Sequence, residues 1–146
     1  MPKHKTCAQC YEDCKEQGFF IPIEPNKDRI HSMLLICNSN CDAVQKLKNN
    51  SEISPSVLFT LAYDAVHLIA EAFLLKNGWK SANHQCLFAF ICNNHSELEL
   101  NWAFFEKIRT RRNGMHYYGT QITKEDWKEI ELEWNLTINV LSKEIG

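Results

Sequence analysis

The stretch from Glu106 to Gly119, EKIRTRRNGMHYYG, gathers side chains that are suited to phosphate chemistry. A guanidinium can hold a phosphate through two hydrogen bonds and can neutralise charge that develops in a transition state. A histidine titrates near neutral pH and can accept or donate a proton. Together these groups suit the cleavage of RNA, in which the 2′-hydroxyl can attack the phosphate and no metal is required. The candidate catalytic residues are Arg112, His116, Arg111 and Asn113.

Helical geometry bears on which arginine stands beside the histidine. A helix turns about 100° per residue, so Arg112 and His116, four positions apart, share a face, and Arg109 lies near them. Arg111 precedes His116 by five positions and points away from it in a regular helix. Gly114 permits a local distortion of the backbone, so the choice between the two arginines stays open.

Neighbouring basic and aromatic side chains extend this candidate surface. The predicted RNA- or nucleotide-binding residues are Arg109, Lys107, Tyr117 and Tyr118, since a tyrosine can stack on a base or offer its hydroxyl. The alternative is structural: arginines in the last turn favour the helix dipole, and the tyrosines cover the bundle. The net charge of the chain is −2, so any contact with nucleic acid must come from a local patch.

A second group of polar side chains occupies the most apolar segment. Asp64, His67 and Glu71 follow one another at intervals of three and four, which places them on one face of a helix. Such residues can build a metal site in a bundle, but no matching carboxylate–histidine pair exists elsewhere. The alternative is a polar stripe that faces a subunit interface or the motif cleft. His84, after the loop GWKSANH, is expected to hydrogen-bond that loop at a helix start. We predict no metal and no cofactor.

The seven cysteines are predicted to be reduced, because the number is odd and no export signal precedes them. Cys7 and Cys10 form a CxxC pair, but thiolate zinc sites commonly use two such pairs and the chain has one. Cys7, Cys10 and Cys14 share one face of a helix at spacings of three and four. We expect them to act there as small buried apolar side chains.

The apolar spacing predicts a single all-α domain over residues 1–146. Its architecture is an up-down bundle of four to five helices, with a short N-terminal helix and an extended lead-in, residues 1–25, packed on the bundle. The composition, 45% apolar and 23% charged, is that of an ordinary globular protein. The predicted elements are a helix over 6–17, an extended segment over 19–23, a helix from Asn26 or Asp28, an apolar helix from Ser54-Pro55 to Asn77-Gly78, a helix over 82–92, a helix capped by Ser96 that reaches the arginines and stops at Gly119, and a last helix capped by Thr123.

The sequence also bears on location. No uninterrupted apolar run approaches the roughly 18 residues of a membrane span. The N-terminal stretch MPKHKTCAQCYEDC has no apolar core like that of a signal peptide. These features predict a soluble cytoplasmic protein without a membrane partner.

The motif resembles the signature of the HEPN superfamily, which consists of small helical-bundle proteins that often accompany minimal nucleotidyltransferases. That signature is an arginine, frequently followed by a polar residue such as asparagine, and then a histidine after four to six intervening residues. Arg111 and His116 have four residues, RNGM, between them. The pair Arg112-Asn113 matches the arginine and polar residue, with three residues before His116. The ending HYY is similar to the His-x-Tyr of members paired with nucleotidyltransferases.

The resemblance covers most of the chain. The stretch CYEDCKEQGFFIPIEPNKDRIHSML is similar to the N-terminal lead-in of prokaryotic, particularly archaeal, HEPN proteins. The stretch AYDAVHLIAEAFLLKNGWKSANHQCLFAFI resembles their central helix and the Gly-x-x-x-x-x-His segment that follows it. The order of these stretches along one chain supports the resemblance more than any one of them does.

The resemblance implies a homodimer in which the motif helices of two subunits meet, so that the arginine and histidine of both line one cleft. Active members of the family are metal-independent endoribonucleases, often toxins of toxin–antitoxin pairs. Other members are non-catalytic modules that bind a nucleotidyltransferase partner or a nucleotide. In paired systems the partner can modify a tyrosine near the motif, which implicates Tyr118 or Tyr117. The resemblance therefore leaves two expected functions, an endoribonuclease and a non-catalytic binding module.

Overall fold

The computed structural model describes residues 5–146, and their architecture confirms the all-α bundle. Helices α2 to α6 form the bundle, and α1 is the short N-terminal helix. One antiparallel pair of two-residue strands, β1 and β2, accompanies them. The elements are α1 (Cys7–Glu16), β1 (Ile21–Pro22), α2 (Lys27–Leu47), α3 (Pro55–Lys76), β2 (Trp79–Lys80), α4 (His84–Asn94), a 3₁₀ turn (Ser96–Leu98), α5 (Trp102–Tyr118) and α6 (Lys124–Ile145).

Each α-helix begins at a residue whose side chain accepts a hydrogen bond from a backbone N–H of the first turn. These caps are Thr6, Asn26, Ser54, Asn83, Asn101 and Thr123. Asp126 completes a capping box with Thr123, as the sequence predicts. Gly119 ends α5 with a φ of 64°, in the left-handed region that glycine adopts without a steric penalty.

Helix α3 is the central element of the bundle and packs against α2, α4, α5 and α6. It is long and apolar enough to span a membrane by length and composition, but most of it is buried, as in the core helix of a soluble protein. The Trp134 indole of α6 donates to the carbonyl of Ala62 at 2.8 Å, so its polar atom is satisfied inside the core. The largest fully buried side chains include Phe59, Ile69, Leu74, Phe88, Ile91, Phe105, Ile108 and Trp134.

The N-terminal segment is held to the bundle at two places. Helix α1 lies against α4, and a disulfide joins Cys14 to Cys86 with 5.8 Å between their Cα atoms. The expectation of reduced thiols is therefore wrong for this pair, because the packing of α1 on α4 brings two distant cysteines together. Cys10 and Cys14 are buried as predicted, whereas Cys7 is only half-buried. At the second place, Ile21 of β1 pairs with Lys80 of β2. The first four residues of the lead-in lie outside the described part.

The predicted helix from Ser96 to Gly119 is wrong at its start. Residues Ser96–Leu98 form a single 3₁₀ turn, and Glu99 adopts a φ of 56° that breaks the helical path. Asn101 then caps α5 by accepting a hydrogen bond from the Ala103 N–H at 2.9 Å. Asn101 is the cap in the structure because the left-handed residue separates Ser96 from the helix. Helix α4 likewise begins at His84, after the Asn83 cap, rather than at Ala82.

Candidate functional site

Helix α5 carries the motif, and its buried face fixes which side chains reach the surface. Phe104, Phe105 and Ile108 are buried in the core and anchor the first half of the helix. The basic residues follow on the remaining faces. Met115 packs against the core in part, so the motif turn stays attached to the bundle up to the glycine stop.

An open pocket of about 320 Å³ lies between the start of α4 and the second half of α5. We call it the motif pocket. A volume of this size falls within the range of small-ligand sites. Its lining residues are Asn83, His84, Gln85, Arg109, Arg112, Asn113 and Tyr117.

Arg112 is the cation of the motif pocket that has no carboxylate partner among residues 5–146. Its Cζ atom lies 5.2 Å from the ring centroid of Tyr63, a side chain that is 2% exposed. This cation–π contact orients the guanidinium and contributes about 0.5–1 kcal/mol when the site is exposed. Because the contact leaves the N–H groups of Arg112 without an acid partner, they are available to an anion.

Arg109 stands in the same pocket but is partly neutralised. Its Nε and Nη2 atoms donate to the two carboxylate oxygens of Glu106, each at 3.1 Å. The side-chain amide of Gln85 donates to the same carboxylate at 3.2 Å. This arrangement ties α4 to α5 and fixes one wall of the motif pocket.

Arg111 and Lys107 turn toward α6 instead and do not line the motif pocket. The Arg111 guanidinium donates to Glu129 at 2.7 Å and to the backbone carbonyl of Asp126 at 3.1 Å. The Lys107 ammonium donates to the other oxygen of Glu129 at 2.8 Å. These two cations hold the pKa of Glu129 down at about 2. Of the four basic side chains Lys107, Arg109, Arg111 and Arg112, acidic residues of α6 thus neutralise two, Lys107 and Arg111.

The rest of the motif lies in the last turns of α5. Asn113 and Tyr117 line the motif pocket, and His116 and Tyr118 are not among its lining residues. His116 is exposed at the surface, one turn beyond Arg112. Tyr118 is 84% exposed and Tyr117 is 75% exposed, so both hydroxyls lie at the surface.

Behind the motif pocket lies a group that we call the histidine cluster, formed by Tyr63, His67 and Glu71 of α3 with His84 of α4. The Tyr63 hydroxyl lies 2.8 Å from Nδ1 of His84. The rings of His67 and His84 are in contact, with their centroids 3.9 Å apart and their planes tilted by 30°. The Nε2 atom of His67 lies 2.9 Å from the Glu71 carboxylate. The cluster therefore connects the interior of α3 to the lining of the motif pocket.

The surroundings of the histidine cluster fix its protonation. Burial lowers the pKa of His84 to about 4, and the charges of His67 and Arg112 act in the same direction, so His84 is neutral at pH 7. Burial raises the pKa of Tyr63, which keeps its phenolic proton. Burial also acts to raise the pKa of Glu71, but the hydrogen bond and charge of His67 outweigh it and leave that pKa below its usual value.

The importance of two residues at the motif pocket, His84 in its lining and Tyr63 behind it, is not revealed directly by the sequence. The expectation that His84 hydrogen-bonds its own loop is wrong, because the packing of α3 on α4 gives its ring Tyr63 as the hydrogen-bond partner in the described chain. His84 and Arg112 line the same pocket, and Tyr63 contacts both side chains. The available signal is the recurrence of Tyr63, His67 and Glu71 at intervals of four on an otherwise apolar helix, a stripe that runs beside the pocket. Asp64, the residue that sequence analysis groups with that stripe, is exposed. Within the described chain, no group of three or more His, Cys, Asp or Glu side chains could hold a metal ion.

The chemistry open to the motif pocket follows from its charge. Two arginines and one neutral histidine line it, and the ion-paired Glu106 offsets one of the two positive charges. The remaining positive charge suits a singly charged anion such as a phosphodiester. Comparison of the chain with family models, with curated proteins and with solved structures found no match.

Proposed function

We propose that this chain is a HEPN-type protein that binds the phosphates of RNA at the motif pocket and cleaves RNA without a metal. The observation that carries the proposal is the position of Arg112, whose guanidinium faces an open polar pocket without a carboxylate partner in the described chain. The resemblance of the motif to the HEPN signature supplies the family.

In the proposed reaction, Arg112 binds the scissile phosphate and stabilises its transition-state charge, with Asn113 as a further polar contact. The 2′-hydroxyl of the preceding ribose attacks phosphorus, and a base takes its proton. The bond from phosphorus to the 5′-oxygen breaks, and that oxygen receives a proton. His116, which does not line the motif pocket of its own chain, transfers one of these protons in the proposed dimer cleft. The products are a 2′,3′-cyclic phosphate and a 5′-hydroxyl. In the proposed homodimer, the motif helices of two copies meet and both copies contribute to one cleft.

The test is cleavage of a labelled RNA oligonucleotide by the full chain in the presence of a chelator. We expect His116→Ala and Arg112→Gln each to reduce the rate by a factor of roughly 100 or more, because each removes a group that acts in the transition state. Arg111→Gln is the matched control, since its guanidinium contacts α6, and it should retain most of the activity. If His116→Ala cleaves as fast as the wild type, this mechanism is wrong.

A second candidate function is a non-catalytic module that binds a minimal nucleotidyltransferase. The exposure of Tyr118, 84%, favours it, because a hydroxyl at the end of the motif helix is accessible to a modifying partner. Coexpression with such an enzyme should then give a stable complex and a nucleotide-sized increase in intact mass. Tyr118→Phe should abolish the increase, and Tyr117→Phe is its control. A chain that degrades RNA and forms no complex would contradict this function.

A further inference from the structure

We propose that His84 is a second ligand-contacting histidine of the motif pocket, that its Nε2–H donates a hydrogen bond to a phosphate oxygen, and that Tyr63 fixes the tautomer that makes this possible. This role rests on the phosphate binding proposed above. It adds a donor from α4 to a site that the motif places on α5 alone.

The geometry leaves one nitrogen of His84 for the pocket. His84 is the first residue of α4, and its side chain lines the motif pocket together with Arg112. Its Nδ1 atom lies 2.8 Å from the hydroxyl of Tyr63, and that tyrosine is 2% exposed. Nδ1 therefore faces the interior, and Nε2 is the ring nitrogen that a ligand in the pocket can reach.

The direction of the hydrogen bond from Tyr63 decides the tautomer. The Tyr63 hydroxyl has no other hydrogen-bond partner in the part of the chain that the structure describes. Burial raises the pKa of Tyr63, so the phenol keeps its proton. A phenolic O–H is a stronger donor than the N–H of a neutral imidazole, so Tyr63 donates and Nδ1 accepts. The proton of the neutral His84 ring then lies on Nε2.

The charged groups around His84 favour this neutral donor. From α3, the ring faces Tyr63 and the tilted ring of His67, whose charge opposes protonation of His84. Glu71, 2.9 Å from His67, favours protonation, but burial and the positive charges outweigh it. From α5, the charges of Arg112 and of the Glu106-paired Arg109 oppose protonation of His84. Because His84 is neutral at and above neutral pH, its donation to a phosphate oxygen does not depend on gaining a proton.

A test that separates ligand contact from a merely structural role uses the full chain with ¹⁵N-labelled histidine and arginine, and inorganic phosphate as the probe. In the free protein we expect the His84 nitrogen signals of the Nε2–H tautomer. Added phosphate should shift the Nε2 signal along the same binding curve as the guanidinium signal of Arg112. Tyr63→Phe should move His84 toward the other tautomer and weaken phosphate binding by roughly three- to tenfold, the range of one hydrogen bond.

Tyr11→Phe is the matched control, because Tyr11 lies on α1 and stacks on Phe20. It should leave both the tautomer and the phosphate affinity unchanged. The role of His84 is overturned if the free protein carries the Nδ1–H tautomer, if phosphate does not shift the His84 signals, or if Tyr63→Phe binds phosphate as tightly as the wild type does.

The same measurements separate this role from the nuclease activity. If phosphate shifts His84 and Arg112 together while RNA stays intact, the role of His84 holds and RNA cleavage fails. If RNA cleavage depends on Arg112 while the His84 signals ignore phosphate, RNA cleavage holds and the role of His84 fails.

Discussion

Arg111 and Arg112 are adjacent in α5, but their guanidinium groups contact different helices, α6 and α3. Arg111 donates to Glu129 of α6 at 2.7 Å, and the guanidinium carbon of Arg112 lies 5.2 Å from the ring centroid of Tyr63 on α3. One arginine therefore helps to hold α5 against α6, and the other faces an open pocket. Sequence spacing to His116 leaves the choice between the two arginines open, but their side chains have different contacts in the structure.

The ion pair between Arg111 and Glu129 is predicted to stabilise α5 against α6 in a salt-dependent way. Arg111→Gln should lower the free energy of unfolding slightly, and molar salt should remove most of the difference from the wild type, because exposed ion pairs are screened. Urea denaturation at low and high salt measures this. Arg112→Gln is the control, and its stability difference should respond less to salt. An equal salt response in the two variants would contradict the separation of roles.

The free energy of unfolding is predicted to fall as the pH is lowered, because the folded protein resists protonation of His84. Its pKa is about 4 in the folded protein, against the ordinary histidine value of 6.5, so the unfolded chain binds a proton over a range in which the folded chain does not. The contribution of His84 to stability is full above about pH 6.5 and is lost as the pH falls toward about 4. With allowance for solvent screening, it is on the order of 1–2 kcal/mol.

Urea denaturation of the wild type and of His84→Gln over this pH range measures that contribution. The glutamine variant keeps a polar side chain at the site but cannot titrate. The stability difference between the two proteins should change in favour of the variant as the pH falls. A constant difference would show that His84 does not resist protonation in the folded state.

Local chemistry made much of the helical framework predictable from sequence. Asn26, Ser54 and Thr123 cap helices in the structure. A cap is predictable because its side-chain oxygen bonds a backbone N–H only two or three residues further along the chain. Glu99 shows the limit of such patterns. Its left-handed conformation separates Ser96 from α5, and no spacing of apolar residues signals it.

The candidate site was predictable only where it lies on one helix. Arg109, Arg112 and Asn113 line one pocket, in keeping with helical spacing. The contact of Tyr63 with His84 joins residues 21 positions apart on different helices, so it depends on how α3 and α4 pack. The α6 partner of Arg111 depends on packing in the same way.

The disulfide between Cys14 and Cys86 is predicted to stabilise the attachment of α1. Its two cysteines are 72 positions apart, and closing a loop of that length restricts the unfolded chain. A reducing agent should therefore lower the free energy of unfolding by about 2–4 kcal/mol. Urea denaturation with and without the reducing agent measures the loss. The double variant Cys14→Ser, Cys86→Ser should not respond to the reducing agent, and a wild type that also fails to respond would contradict the prediction.

Relief of the backbone conformation at Glu99 is predicted to stabilise the protein. Glu99 has a φ of 56°, which is costly for a residue with a side chain, and its exposed carboxylate pairs with no described residue. Glu99→Gly keeps the backbone N–H that donates to the Ser96 carbonyl. Since glycine also gains entropy in the unfolded chain, the net gain should be about 0.5–1 kcal/mol. Thermal denaturation measures it.

Glu97→Gly is the matched control and should destabilise, because Glu97 lies in the 3₁₀ turn and contacts His95 at 3.2 Å. If both variants lose stability equally, the left-handed conformation of Glu99 carries no cost.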